Sequence, residues 1–153
     1  MTAFTYEPTR VAEWRKLVIE GQDRAGLQLT ESIENYVVIT LDAHTEYVAL
    51  ASTTLAIDYL NNIHLNSVRN FKMLRHVGDQ CLILAGLFPE RTKRKNVSPA
   101  YFQQIGENAY YVLSFSAHFK QSNRALFYQL FENFADLVQV LKSMRLFNDR
   151  VLF

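Results

Sequence analysis

Apolar residues recur along this chain at spacings of three and four residues, the pattern of an amphipathic α-helix. In the first segment the pattern follows Pro8, which suits the first turn of a helix, and it consists of Val11, Trp14, Leu17 and Val18. In the last segment it runs from about Asn123 to Met144 without a break. Both segments are predicted to be helices, and the last one is predicted to be a single long helix.

A second helix is predicted after Thr30, whose side chain favours the N-cap position, with Glu31 and Glu34 well placed in its first turn. The β-branched run over residues 37–40 is also compatible with a strand. We favour a helix, because the chain has no second strand candidate that would pair with this run. A further helix is predicted over about residues 46–60.

The most apolar stretch of the chain is residues 77–90. We predict that it forms the second half of a buried central helix over about residues 67–85. Gly86 is expected to end this helix in the left-handed C′ conformation, and Pro89 to prevent its resumption. Gly78, inside the helix, is expected to permit the close approach of another helix.

Ser98 and Pro99 together favour a helix start, a capping residue followed by proline at the first position. Gly106 lies on the apolar side of the helix that follows and is a second candidate for close packing. The sequence has no internal repeat and no domain linker. It therefore predicts an all-α fold, one domain over residues 1–153, built as a bundle of about six helices around the central one.

Composition is consistent with such a domain, since 49% of the 153 residues are hydrophobic and 20% are charged. The single cysteine, the lack of a membrane-length apolar run and the lack of a secretory pattern at the start lead us to expect a cytoplasmic protein. The net charge of +1 is unevenly distributed. Residues 1–66 carry 4 Lys/Arg against 9 Asp/Glu, whereas residues 67–97 carry 7 against 2. These opposite charges can attract each other within one molecule or between two.

Residues 78–90 read GDQCLILAGLFPE, which has the form GDxxLxxxGLFPE, and residues 106–110 read GENAY. With the basic linker between them, they resemble a family of uncharacterised bacterial proteins over about residues 68–113. Cys81 and Ile83 stand where bulkier or aromatic residues are expected. The resemblance implies a helical bacterial protein and no particular activity.

Three polar residues in and after the central helix, His76, Asp79 and Glu90, are candidate site residues. His76 and Asp79 share a helix face, where such a pair can bind a metal or relay a proton. The favoured alternative is that Asp79 bonds a tyrosine, an arginine or the backbone of a neighbouring helix. Cys81 is expected to be a buried, inert thiol. Since the sequence contains no Glu-x-x-His pair of the kind that a di-iron bundle needs, we predict no metal, no cofactor and no catalytic set.

Two further groups are candidate binding residues. The basic linker is suited to an anion or an acidic peptide, although a solvated loop is the simpler interpretation; it contains Arg91, Lys93, Arg94 and Lys95. No nucleic-acid-binding module is recognisable, so nucleic acid is not expected as a partner. Aromatic residues of the last two helices are candidates for an apolar pocket, although core packing is the simpler interpretation; they are Tyr101, Tyr110, Phe127 and Phe131.

The sequence therefore favours a small, non-enzymatic interaction or regulatory protein that self-associates, for example as a homodimer, or binds a protein partner. The alternative is a binder of an apolar small molecule in a pocket between the central helix and the last two helices. The third hypothesis is an enzyme or metal site that uses His76 and Asp79. It requires both side chains to meet at a cleft.

Overall fold

The computed structural model describes residues 8–44, 71–90, 98–117 and 119–144, and every regular element within them is an α-helix. The helices in these ranges are α1, Pro8–Ala25; α2, Glu31–Ala43; α3, Phe71–Leu87; α4, Pro99–Ser114; α5, Gln121–Glu132; and α6, Phe134–Lys142. The prediction of an all-α bundle is confirmed. The helix predicted over about residues 46–60 lies outside the described residues.

Helices α2 and α4 begin where their capping residues predict. The Thr30 side chain accepts a hydrogen bond from the Ile33 N–H at 3.4 Å. The Ser98 hydroxyl accepts one from the Tyr101 N–H at 3.1 Å, and Pro99 follows as the first helical residue. Each bond satisfies an N–H group that the helix itself leaves without a partner. Residues 37–40, for which a strand was the alternative, are helical.

Helix α3 is the centre of the described bundle. Ten of its 17 residues are buried, which identifies it as the predicted central helix. It packs against α4 and α6, while α1 packs against α2 and α6, and α5 packs against α4. A helix with neighbours on several sides must be apolar on most of its surface, and this explains the nearly continuous apolar run from Cys81 to Ala85.

The prediction for Gly86 is wrong, because α3 continues through this residue to Leu87. Among the described glycines only Gly26, directly after α1, has a positive φ, at 70°. Gly86 instead lies against α6, where a Cβ atom would come within 2.6 Å of the Leu141 Cβ. Its small size permits this helix contact, so packing rather than backbone conformation requires the glycine.

The prediction of one long helix from about residue 123 to Met144 is also wrong, because α5 and α6 are separated at Asn133. The backbone of Asn133 has φ −104° and ψ 13°, and its side-chain amide donates to the Gln129 carbonyl at 2.8 Å. The backbone N–H of Asn133 donates to the same carbonyl at 2.9 Å, and local side-chain bonds of this kind disfavour asparagine inside helices. The apolar pattern continues through the interruption because α5 and α6 both face the core.

Two glycines allow aromatic rings to lie directly on a helix backbone, as predicted from their positions in apolar faces. At Gly78 a Cβ atom would lie 2.7 Å from the Tyr110 ring. At Gly106 it would lie 2.5 Å from the Phe134 ring and 2.9 Å from the Cys81 Cβ. Since carbon atoms do not approach this closely, any side chain at either position must displace a buried ring.

We expect Gly106→Ala to destabilise the protein by about 1–3 kcal/mol, because the added methyl overpacks the contact with Phe134 and Cys81. This loss should appear even though alanine is intrinsically favoured over glycine in a helix by about 1 kcal/mol. The free energy of unfolding, measured by urea titration, checks the prediction. Gln139→Ala, at an exposed position of α6, is the control and should cause no loss. A stabilised Gly106→Ala variant would contradict the packing.

Candidate functional site

The carboxyl group of Asp79 joins three helices. Only 6% of this α3 residue is exposed. Its Oδ1 atom accepts hydrogen bonds from the hydroxyl of Tyr36 in α2 and from the hydroxyl of Tyr110 in α4, each at 2.6 Å. Burying a polar group requires hydrogen-bond partners, and two hydroxyl donors on one oxygen supply them. Of the three partners expected for Asp79 on a neighbouring helix, a tyrosine, an arginine or the backbone, the structure shows tyrosines.

The second carboxyl oxygen, Oδ2, faces two nitrogen atoms without a direct hydrogen bond. His44 Nε2, at the end of α2, and Arg75 Nε, one turn earlier in α3, each lie 3.9 Å away. Arg75 Nε also donates to the Tyr36 hydroxyl at 3.1 Å, and its guanidinium carbon lies 5.2 Å from the centre of that ring. We call this group the Asp79 cluster; it comprises Tyr36, His44, Arg75, Asp79 and Tyr110.

Burial shifts the pKa values of several groups of the cluster. It raises the pKa of Asp79, although the hydrogen bonds from both tyrosines and the charge of Arg75 oppose the shift. Burial and the nearby carboxyl group raise the pKa values of Tyr36 and Tyr110 well above the usual range, so both remain hydroxyl donors. Burial, with His76 and Arg75, lowers the pKa of His44 to about 4, so its imidazole is neutral at neutral pH.

The three polar residues singled out in the sequence occupy different environments. Asp79 is buried, whereas His76 is exposed on α3 and reaches the cluster through His44, with the two imidazole centres 5.6 Å apart. Glu90 is exposed directly after Pro89. The predicted basic residues of the linker lie outside the described residues; they are Arg91, Lys93, Arg94 and Lys95.

The four predicted pocket residues divide between the core and the surface. Tyr110 and Phe127 are buried, and their rings stack with centres 6.3 Å apart. Tyr101 is 39% exposed, and Phe131 is half-buried. Tyr110 therefore belongs to the Asp79 cluster, and Phe127 covers that cluster from α5, 6.5 Å from the Tyr36 ring centre. An apolar pocket lined by all four residues stays a prediction.

Families, curated proteins and solved structures provide no match to this chain. Within the described ranges, no helix is both long enough and apolar enough to cross a membrane. The same ranges contain no group of three or more His, Cys, Asp or Glu side chains that could hold a metal ion.

Cys81 is a buried free thiol, and burial raises its pKa, which opposes formation of the reactive thiolate.

A second feature lies on the outward face of α4 and just after it. Five exposed residues follow one another there at spacings of three, four, three and four positions. We call them the α4 seam; they are Tyr101, Gln104, Asn108, Tyr111 and Phe115. None is charged and three are aromatic. The sequence contains this pattern, but the parallel apolar stripe that includes Phe102, Ile105 and Ala109 is stronger and predicts only which side of the helix is buried.

Helix α5 widens the aromatic surface beside the seam. The Tyr111 ring centre is 4.7 Å from that of Phe115 and 4.7 Å from that of Phe131. Tyr128, itself 43% exposed, lies 5.7 Å from Phe131. Aromatic side chains from two helices thus form one continuous exposed group.

We expect Asp79→Ala to destabilise the protein by about 2–5 kcal/mol, because it leaves two buried tyrosine hydroxyls without their acceptor. Asp79→Asn should cost far less, since an amide oxygen can accept both hydrogen bonds and the side chain keeps its shape. Urea unfolding at neutral pH measures both variants. Equal losses in the alanine and asparagine variants would contradict the structural importance of these bonds.

The asparagine variant also has an expected pH dependence. Because the pKa of Asp79 is raised in the folded state, its contribution to stability is complete below the unfolded-state pKa and is lost as pH rises through the folded pKa. Asp79→Asn cannot ionise, so its free energy of unfolding should gain on that of the wild type as pH rises above about 4. Asp23→Asn, at an exposed position, is the control. An Asp79→Asn variant that loses stability relative to the wild type as pH rises would show that the pKa is not raised.

Proposed function

We propose that this protein is a small, non-enzymatic interaction protein that pairs with a second copy of itself through the α4 seam. The observation that carries the proposal is the seam's composition and spacing: exposed, uncharged and rich in aromatic residues along 3-4-3-4 positions. Such spacing is how one helix packs along another. Surface regions that are aromatic and poor in charge are typical of the centres of protein interfaces.

The exposure of the aromatic rings to solvent favours a partner molecule that covers the α4 seam. Phe115 is 64% exposed, Tyr111 40% and Tyr101 39%. Transfer of apolar surface of this kind out of water is favourable and non-directional. Aromatic residues are also the side chains that most often dominate binding energy at interfaces. A second helix laid along α4 would cover all three rings together with the neighbouring aromatic residues of α5.

The seam is suited to a copy of itself rather than to a charged partner. In a two-fold contact the same surface meets on both sides, so it must be self-complementary. An uncharged surface avoids the repulsion that any cluster of like charges would meet in its own copy. Gln104 and Asn108 lie in the seam between the aromatic residues, and their amides both donate and accept hydrogen bonds. Each can therefore pair with the same residue type of a second molecule.

The dimensions of the surface predict a weak dimer. Helix α4 has 16 residues and is about 24 Å long. With α5 beside it, the surface is about 20 Å wide, which gives roughly 500 Å² per copy and about 1,000 Å² in total, at the lower limit for a specific interface. We therefore expect an equilibrium between monomer and dimer that depends on protein concentration.

Tyr111→Lys tests the proposal. A lysine at the centre of the seam would bring positive charges of two copies together and remove an aromatic contact, so self-association should weaken by about tenfold or more. Sedimentation equilibrium over a wide range of protein concentrations measures the effect. Ile19→Lys is the matched control, because Ile19 is an exposed apolar residue on α1, 44% accessible, and α1 packs against α2 and α6.

The result expected is a wild-type protein and an Ile19→Lys variant that dimerise alike, and a Tyr111→Lys variant that remains monomeric. Unchanged unfolding free energies in both variants would show that the loss concerns the interface, since exposed substitutions usually change stability by no more than about 0.5 kcal/mol. A wild-type protein that is monomeric at every concentration would overturn the proposal, as would dimerisation that Tyr111→Lys leaves intact.

A further inference from the structure

Three polar atoms of the Asp79 cluster face one another at distances longer than a hydrogen bond, and we call the space between them the gap. Oδ1 of Asp79 is occupied by the two tyrosine hydroxyls, while Oδ2 lies 3.9 Å from both His44 Nε2 and Arg75 Nε. This separation is too long for a direct hydrogen bond. Polar groups at such distances are commonly bridged by one intervening polar atom, from water or from a ligand.

Arg75 is held in place but keeps donors available. Its Nε donates to the Tyr36 hydroxyl and its guanidinium lies over the Tyr36 ring, yet 51% of the side chain is exposed. Its two terminal Nη groups have no hydrogen-bond partner among the described residues. A guanidinium fixed at Nε and open at Nη presents two N–H groups in the planar arrangement that binds the oxygens of phosphate or carboxylate.

Helix α3 carries two positively charged side chains beside the gap, Lys72 and Arg75, and His76 is exposed next to them. Between Phe71 and Leu87 the only acidic residue is Asp79, whose carboxyl group is already bonded to two tyrosines. A surface with one sign of charge attracts ions of the opposite sign. The chemistry outside the gap therefore favours an anion, while the atom at its base is a carboxyl oxygen.

Positive charge outside the gap and a carboxyl oxygen at its base together require a ligand that is an anion and can also donate a hydrogen bond. We propose that Arg75, His44 and Asp79 bind a small oxyanion that keeps a proton on one oxygen, namely hydrogen phosphate or a phosphomonoester. Its unprotonated oxygens accept from the Arg75 Nη groups, and its hydroxyl donates to Asp79 Oδ2. His44, whose neutral imidazole carries one donor and one acceptor nitrogen, bonds the same ligand oxygen through Nε2.

While Asp79 is ionised, its carboxyl group allows the site to select between oxyanions. An oxyanion without a proton, such as sulfate, would place a bare oxygen against Oδ2 and gain no hydrogen bond there. Leaving a buried polar group without its partner is the strongest means by which a site rejects a close analogue. The site is therefore expected to bind phosphate and to discriminate against sulfate, which a merely positive surface would not do.

Binding is tested with the full chain by nuclear magnetic resonance titration with inorganic phosphate, methyl phosphate and sulfate at matched ionic strength. A value of about pH 6 is suitable, because a phosphate ester then keeps its proton on a large part of the population. Phosphate should shift the signals of the His44 ring and of residues 75–79. The affinity for sulfate should be lower than that for phosphate by a factor of about ten or more. Methyl phosphate distinguishes a phosphomonoester site from one that admits only free phosphate.

Two variants make the test specific. Arg75→Gln should weaken phosphate binding by about tenfold or more, since it removes a charge-assisted pair of hydrogen bonds. Asp79→Asn should keep phosphate binding and lose the discrimination, because its amide group donates to either anion. Lys16→Gln, at an exposed position of α1, is the control and should change nothing. All titrations are repeated in the Tyr111→Lys background, so that the result is independent of self-association.

The outcomes separate clearly. The site would be established if the wild type binds phosphate in preference to sulfate and if Asp79→Asn still binds phosphate but no longer discriminates between the two anions. Equal binding of phosphate and sulfate to the wild type would overturn the proposal in favour of simple charge attraction, and binding of neither anion would overturn it entirely. Unaltered phosphate binding by Arg75→Gln would also overturn it. Since the wild-type comparison of the two anions needs no substitution, the proposal stays testable even if a variant does not fold.

Discussion

The carboxyl group of Asp79 is the contact on which the arrangement of α2, α3 and α4 depends. A carboxylate removed from water costs several kcal/mol unless hydrogen bonds replace its hydration. Tyr36 and Tyr110 provide those bonds from two different helices, and only one relative placement of the three helices brings both hydroxyls within 2.6 Å of the same oxygen. Apolar packing alone tolerates small sliding movements between helices, whereas this contact does not. The polar group in the core thus specifies the geometry that the surrounding apolar residues stabilise.

Apolar periodicity and capping residues predicted most of the described helices, because these signals are local in the chain. The two errors arise from contacts that local signals do not contain. A glycine that ends a helix and a glycine that admits a neighbouring helix have the same appearance in a sequence, and at Gly86 only the distant Leu141 decides between them. At Asn133 the side chain bonds the Gln129 carbonyl and interrupts a helix whose apolar pattern continues. Gly78 was predictable because it lies far from any helix end and within an apolar face.

The chemistry of the site was only partly predictable. Asp79 was recognisable as a polar residue in an apolar helix, and a tyrosine partner could be named by type. Which tyrosine it would be could not, because Tyr36 and Tyr110 are 43 and 31 positions away. No local signal in the sequence connects His44 with Asp79, and only the fold brings it to Asp79 and His76. The basic linker is conspicuous in the sequence through its charge, whereas the arginine that the fold brings to Asp79 is Arg75 of the central helix.

Helix α4 links the two proposed binding sites through consecutive residues. Tyr110 faces Asp79 and Tyr111 lies in the α4 seam, because neighbouring residues of a helix point about 100° apart. Gly78 lets the Tyr110 ring rest on α3, so α4 cannot shift along α3 without moving this ring and its bond to Asp79. A second molecule bound at the seam and an anion bound beside Asp79 would therefore act on the same rigid element. If either contact changes the position of α4, thermodynamic linkage requires that each changes the affinity of the other by the same factor.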